Sequence, residues 1–267
     1  VCSQPVSSKI ITHLEHGVLS ITLNRPDALN SLNAAMHQAL QQAFDQALDD
    51  SIRAVLLTAN GRGFCAGQDL SEQDPSYEHY DPDLGQTIEK YYNPLIRKIT
   101  QLPKPVVCAV NGIAAGAGVS LALACDIVLA ARSAKFIQAF AKIGLVPDSG
   151  STWFLPHLIG PARAMALALT AEAVTAEQAQ QWGLIWQAVD DEELAQAANT
   201  LAQSLAQGPT FGLGLTKHAI HAASHNSLNE QLELEKTLQR RAGFSRDFKE
   251  GVQAFLEKRQ PRFTGSE

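Results

Sequence analysis

Three features of the chain predict an α/β fold with a helical C-terminal extension. Short β-branched strands alternate with helical patterns through the first two-thirds of the sequence. Two of these strands run into glycine-rich turns that lead toward a helix: Gly61-Arg62-Gly63-Phe64-Cys65-Ala66-Gly67-Gln68-Asp69-Leu70 and Asn111-Gly112-Ile113-Ala114-Ala115-Gly116-Ala117-Gly118. After Asp191 almost everything reads as helix. No stretch marks a flexible linker, so the expected organisation is a core over residues 1–190 and a helical region over 191–267. The recurrent strand, turn, helix unit favours a repeated ββα spiral over a doubly wound sheet, a choice that pattern alone leaves open.

Taken in order, Val18 to Leu23 reads as a strand. Asn33 then caps a helix whose Met36, Leu40, Phe44 and Leu48 recur at helical spacing. Arg53 to Thr58 is the next strand. Ser71 to Asp83 is polar, contains Pro and Tyr and lacks periodicity, which predicts a mobile loop. Gly85 to Thr100 is predicted helical, with Ile88, Tyr91, Tyr92, Leu95 and Ile99 on one side. Pro105 to Val110, Asp126 to Ala130 and Lys135 to Gln138 add strands. Thr175-Ala176-Glu177-Gln178 is a capping box opening a helix that ends near Gly183. The last helices are expected over Glu192 to Gln207, Thr210 to Ala223, Leu228 to Ala242 and Arg246 to Lys258.

The composition excludes several classes of function. A net charge of -6 over 267 residues disfavours a nucleic-acid surface, whose affinity rests on clustered Lys and Arg facing phosphates. The most apolar stretch, Gly112 to Cys125, stops at Asp126, short of the roughly 20 residues that span a bilayer, so no membrane association is expected. Cys2, Cys65, Cys108 and Cys125 show no C-x-x-C spacing, which predicts reduced thiols in a cytoplasmic protein. Val1 to Ser8 lacks the basic start and apolar run of a signal peptide, and the missing initiator Met points to trimming.

Each glycine-rich segment follows an apolar strand and can turn unpaired backbone N–H groups on one anionic atom. The second lacks the third glycine of a dinucleotide fingerprint, and no phosphate-binding G-x-x-x-x-G-K-[ST] occurs anywhere. With Leu23-Asn24-Arg25-Pro26, Ala28-Leu29-Asn30, Ala134-Lys135-Phe136, Gly144-Leu145-Val146-Pro147 and the ending Gly251 to Arg259, the chain resembles the crotonase superfamily of acyl-CoA enzymes, in order and spacing, over nearly its whole length. That resemblance implies a crotonase-type ββα spiral and an acyl-CoA thioester substrate. It also implies an oxyanion hole, whose donors by motif position are the N–H groups of Ala66 and Ala117. Within the family the likeness is to isomerases of ring-epoxidised aryl acyl-CoA esters, so the implied activity is ring expansion to an oxepin, with a 3,4-to-2,3 double-bond shift beside it. Coenzyme A then belongs to the substrate, and no metal or redox cofactor is expected.

The departures from the family's hydration chemistry are equally informative. Hydratases of this family hold and activate water with two glutamates, and the matching positions here are Ser120 and Phe140. Neither is a general base near neutral pH. A carboxylate stands instead at Asp148, in Pro147-Asp148-Ser149-Gly150-Ser151. The residues alone allow two readings, the N-cap of a following helix or an acid/base group. The resemblance favours the second, with Phe140 and Ile143 as apolar surroundings that lift its pKa. A nucleophilic aspartate, as in related dehalogenases, lacks its Trp and His partners, which match Phe140 and Asn93. A non-catalytic acyl-CoA-binding partner of a hydratase is the third reading, and retention of Asp148 speaks against it.

For the substrate, the resemblance implies contacts from Arg25, Ala28, Ala66, Gln68, Asp69, Leu70, Gly116 and Phe140, with Phe255 and Lys258 supplied by an adjacent subunit of a homotrimer or dimer of trimers. A complex with an enoyl-CoA hydratase is also compatible with this assignment. His218, His221 and His225 share a helical face and suggest a metal, but one straight helix rarely wraps three ligands around an ion, so a solvated face is expected. Cys65 has no neighbouring His or basic cluster and reads as a packing residue.

Overall fold

The computed structural model describes residues 9–73, 76 and 83–267. The chain begins with β1 (Ile10–Glu15), β2 (Val18–Leu23), α1 (Ala34–Gln46), β3 (Ala54–Ala59) and β4 (Gly63–Cys65). It continues with α2 (Leu84–Thr87), α3 (Asn93–Gln101), β5 (Val106–Val110), β6 (Ile113–Ala115), α4 (Ala117–Leu123), β7 (Ile127–Ala131) and β8 (Lys135–Ile137). Then come α5 (Ser151–Thr170), β9 (Ala173–Thr175), α6 (Ala176–Trp182), β10 (Gln187–Val189), α7 (Leu194–Gln207), α8 (Thr210–Ala223), α9 (Leu228–Phe244) and α10 (Arg246–Glu257).

The strands form two sheets. The larger runs β1-β2-β3-β5-β7-β10 and the smaller β4-β6-β8-β9. Only β1–β2 and β8–β9 pair antiparallel. Three successive units place one strand in the large sheet and the next in the small one: β3 then β4, β5 then β6, β7 then β8. A helical segment follows each unit, which makes the ββα spiral that the strand, turn, helix rhythm favoured. All five residues of β5 are buried, as a central parallel strand covered on both faces requires. In α7, Ala198, Ala202 and Ala206 form a small-residue stripe that lets the helix lie close against β3 and β5.

Several expectations change. The first strand β1 had no reading, because its IITHLE pattern alternates only weakly. Leu48 is 56% exposed, since α1 ends at Gln46 and the chain turns before the stripe reaches that position. The helix expected over Gly85 to Thr100 contains a π-helical turn, Ile88–Tyr92, between α2 and α3, while Tyr92, Leu95 and Ile99 are buried as the pattern required. Of the loop expected over Ser71 to Asp83, Leu70–Gln73 form a 3-10 turn, and residues 74–75 and 77–82 lie outside the described residues, as does Cys2. The boundary after residue 190 also moves. Leu194 and the α7 alanines belong to the same core cluster as the sheets, so the extension proper starts with α8.

That extension is fastened to the core through its tail. Buried Asp247 accepts hydrogen bonds from the Thr264 and Gly265 N–H groups at 2.6 and 2.7 Å. Arg53, expected as the first residue of a strand, instead donates to Thr210 Oγ1 at 3.0 Å and to the Phe263 carbonyl at 2.9 Å. Among the described residues no helix is long and apolar enough to cross a membrane.

The two glycine-rich turns meet where β4 and β6 run in parallel, Gly63 opposite Ile113 and Cys65 opposite Ala114. A Cβ on Gly112 would stand 2.3 Å from the Arg62 carbonyl oxygen, and one on Gly118 would stand 2.2 Å from that of Cys65. Both obstacles are backbone, which cannot swing aside as a flexible side chain does. Gly118→Ala is therefore expected to destabilise the protein by about 1–3 kcal/mol or more through overpacking. Chemical denaturation measures this, and an unchanged midpoint would mean that the turns have room to separate.

Candidate active site

The first glycine-rich turn is zipped onto the segment after β2. Ala66 N–H donates to the Leu29 carbonyl at 3.0 Å, Leu32 N–H to Gly67 at 2.7 Å and Asp69 N–H to Leu32 at 3.0 Å. In such a parallel ladder the residue between two bonded neighbours directs its own N–H to the opposite side. That residue is Gln68, paired with Leu32 as an isolated bridge. Ala66 is thus not an open donor, contrary to the assignment by motif position, and the available amide in this turn is that of Gln68. No acceptor among the described residues takes the N–H of Gln68 or of Ala117.

The two free amides belong to adjoining segments. A Cβ on Gly67 would lie 3.3 Å from Ala117 N and 2.9 Å from the Ala115 carbonyl oxygen, so the turns touch through backbone. Gly116 adopts φ 51 and ψ -125, caps α4, and leaves the Ala117 N–H as one of the unpaired donors at the helix start. The ring of buried Phe140 stands against Gly116, 3.7 Å from where a Cβ would be.

Asp148 enters from the turn before α5. Gly150, φ 85, holds the cap position of that helix and makes no side-chain cap bond. The Asp148 carbonyl, not its carboxylate, accepts the Ser151 N–H at 2.9 Å, so the capping reading fails. The carboxylate instead accepts the Ser149 hydroxyl at 2.9 Å. Burial pushes the Asp148 carboxyl above its usual range, and the Ser149 bond opposes this only in part. Ser120, on the first turns of α4, reaches the Asp148 carbonyl at 3.2 Å, which sets this turn beside the helix that begins at Ala117.

The expected substrate contacts divide into three groups. Gln68, Gly116, Ala117 and Phe140 come together as described. The Arg25 guanidinium is engaged inside the chain, with Asp69 Oδ2 at 2.8 Å and the Ser31 carbonyl at 2.9 Å, so it ties the segment carrying Ala28 to the segment ending in Leu70. Asp69 is raised by burial but more strongly lowered by its bonds from Ser71 and Arg25, and the net effect holds it below its usual value. Leu70 is exposed and Ala28 half-buried. Phe255 and Lys258 lie at the end of α10, which stops at Glu257, and Lys258 is its left-handed cap. Among the described residues no hydrogen bond or ion pair joins either one to the Ala66 to Leu70 turn, and Phe255 is 81% exposed.

Cys65 is fully buried, and burial pushes its thiol up to about 12, as a packing residue requires. His218, His221 and His225 line a cavity of about 930 Å³ with Trp153, Phe154 and Arg241. His218 and His225 are exposed, as a solvated face implies, and His221 is half-buried, 3.9 Å from Asp126. Among the described residues no three His, Cys, Asp or Glu side chains converge on a metal position.

Sequence reasoning missed three contributors. Asn30, fully buried with φ 55, donates to the Asn60 and Gly63 carbonyls at 2.9 Å and accepts the Arg25 N–H at 2.7 Å. Its signal was an Asn, tolerant of left-handed backbone, just before a helix cap. Ser120 and Ser151 are the other two, and small hydroxyls carry no comparable signal.

Residues 13–266 match the Enoyl-CoA hydratase/isomerase family. The chain is 58% identical to the 1,2-epoxyphenylacetyl-CoA isomerase of Escherichia coli (strain K12), a match covering 96% of this chain and 98% of that one. It is 35% identical to the 2,3-dehydroadipyl-CoA hydratase of the same organism, over 97% and 99% of the two chains. The solved enoyl-CoA hydratase of Bacillus anthracis superposes with a TM-score of 0.90 at 34% identity, covering 96% of this chain and 99% of that one. With its two-sheet spiral and paired glycine turns, the chain belongs to the enoyl-CoA hydratase/isomerase family and has the crotonase fold.

Proposed function

We propose that this protein is an acyl-CoA isomerase of phenylacetate degradation, which converts ring-1,2-epoxyphenylacetyl-CoA to oxepin-CoA and shifts enoyl-CoA double bonds from the 3,4 to the 2,3 position. The observation that carries this reading is the half-buried Asp148 carboxyl beside α4, with Ser120 and Phe140, both buried, where hydration would need glutamates. The 58% identity to an enzyme named for the first reaction supports the choice of acyl group.

The geometry supports the following chemistry. The free N–H groups of Gln68 and Ala117 stabilise negative charge on the thioester oxygen, so a proton on the adjacent carbon becomes removable. Asp148 takes that proton from C2 as the enolate forms and returns it at C4, which moves the double bond with no change in composition. With the arene epoxide, cleavage of the carbon–carbon bond shared by epoxide and ring opens the seven-membered oxepin. Moving the side-chain proton to a ring carbon then conjugates the product with the thioester. Neither reaction calls for a metal or redox cofactor. A nucleophilic aspartate is disfavoured, because the Asn93 amide bonds Glu89 on the outside of the helix and supplies no imidazole.

In this reading the protein works in the cytoplasm as a homotrimer or dimer of trimers, and an enoyl-CoA hydratase is a natural companion for the product. Phe244, Phe248, Phe255 and Leu256 leave an apolar surface on α9 and α10 that a neighbouring subunit would cover. Arg25, Ala28, Asp69 and Leu70 would shape the mouth of the CoA site, and the neighbour's copies of Phe255 and Lys258 would complete it.

A substrate panel of ring-epoxidised phenylacetyl-CoA, 3-enoyl-CoA and 2-enoyl-CoA, followed by mass and absorbance, tests the assignment. Isomers of unchanged mass are expected from the first two, and gain of one water on the third would overturn it. Asp148→Asn is expected to keep acyl-CoA binding and lower turnover by about 100-fold or more. Because burial raises the Asp148 pKa, the base is lost at a pH above the usual carboxylate range, and the acid limb of kcat/KM is expected above 3.8.

The same shift gives a sign for stability. A carboxyl raised in the folded state contributes stability below its unfolded value of 3.8 and loses it as pH rises through the folded value. Asp148→Asn is therefore expected to melt higher than the parent at pH 7 and to lose that advantage near pH 3. Truncation after Gly251 is expected to weaken CoA binding and lower subunit number together, by titration and light scattering. A folded truncated protein with unchanged affinity and assembly would exclude the shared site.

A further inference from the structure

The turn that presents Asp148 is held in an unfavourable shape. Ser149 has φ 53 and Gly150 φ 85, so two successive residues are left-handed, and only the second is a glycine. Such backbone persists where the surrounding structure over-determines it. Two fully buried hydroxyls stand directly against it. Ser120 Oγ donates to the Asp148 carbonyl at 3.2 Å and lies 2.6 Å from Ser151 Oγ.

The direction of this chain is fixed by counting protons. Ser120 has one hydroxyl proton, and the Asp148 carbonyl can only accept it. The bond between the two serines must then run from Ser151 to Ser120. The Asp148 carbonyl receives the Ser151 N–H as well, at 2.9 Å, so helix α4 and the start of α5 both grip the same atom. We propose that Ser120 is a positioning residue for Asp148, a strut from α4 that holds the left-handed turn and thereby the direction of its carboxylate, with Ser151 orienting the Ser120 hydroxyl.

This inference rests on the acid/base reading of Asp148. A strut that fixed only the fold would act on stability alone. One that aims a carboxylate acts on kcat, because displacement of about 1 Å at a reacting group is enough to lose up to roughly 100-fold in rate. It also acts on the pH profile, since a loosened turn lets water reach a carboxyl whose raised pKa comes from burial. Among the described residues Ser149 is the one side chain that acts on that carboxyl, and no charged group contributes to its shift.

The test compares Ser120→Ala, Ser120→Thr, Ser151→Ala and Asp148→Asn in the full-length protein, using whichever ester of the substrate panel the parent turns over. Ser120→Ala is expected to lower kcat about 10-fold or more while KM changes less than about 2-fold, and to move the acid limb to lower pH. Ser120→Thr keeps the hydroxyl and is expected to retain most of kcat and the parental acid limb. Ser151→Ala is expected between the two. Should Ser120→Ala prove poorly folded, the Ser151→Ala pH profile carries the comparison, with the same shift expected in smaller measure. Parental kcat and acid limb in a folded Ser120→Ala protein, with Asp148→Asn inactive, would overturn the strut and leave the acid/base reading standing. Full activity in Asp148→Asn would overturn both.

Discussion

The close approach of two backbones is the constraint on which the rest of this structure depends. Cys65 and Arg62 present carbonyl oxygens to α4 and to the turn before β6 at distances where a Cβ would sit 2.2 or 2.3 Å away. Only glycine at 112 and 118 permits that contact, and the contact makes a four-stranded second sheet out of strands only three residues long. Each of these strands is too short to be stable alone. They gain their permanence from the spiral, which stacks them beside the large sheet and its fully buried strand β5.

A second layer of polar ties holds the mouth of the site on this frame. Leu29 and Asn30 are both left-handed, at a cost on the order of 1–2 kcal/mol for each non-glycine residue. The buried Asn30 amide makes three hydrogen bonds, and the Arg25 guanidinium makes two more to Asp69 and Ser31. At about 1 kcal/mol net for each ordinary bond, and about 1.5–3 for those to charged groups, these are enough to offset the strain. Arg25 thus matters to the proposed CoA site even with its fork turned inward, because it ties Asp69, next to Gln68, to Ser31. Losing it would loosen two segments together.

What could be read from the sequence follows a physical division. The alternation of strands and helices was legible because its signals are long: β-branched strands, the Thr175 capping box and the glycine pairs each constrain several residues at once, while the spiral itself was implied by the family resemblance. Asp148 was legible as an ionisable group in a chain whose two hydratase glutamate positions hold Ser120 and Phe140. Single backbone amides were not legible, because which N–H is free depends on a ladder between Leu29–Leu32 and Ala66–Asp69 that no local pattern announces. That is why the free amide in this turn is that of Gln68 and not that of Ala66. Leu48 failed for a related reason: periodicity gives the face of a helix but not the residue at which it stops. Ser120 is the extreme case, a small hydroxyl whose importance arises only when Asp148, distant in sequence, folds against it.

The Asp148 turn gathers the features that a stable protein would otherwise avoid. It holds a left-handed serine, a carboxyl raised by burial, and a polar atom gripped from two helices. None of these improves packing, and the first two oppose folding at neutral pH. They make sense together if the carboxylate must be held partly desolvated and in one direction, since a base with a raised pKa both accepts and returns a proton more readily near the working pH. The buried serines supply that rigidity without adding charge. A glutamate at position 120 would bring a second carboxylate close to the first, where no charged group among the described residues acts on Asp148. Like charges in such surroundings cannot both ionise, so a hydration site of two carboxylates and this single-carboxylate site are alternative electrostatic solutions on one frame.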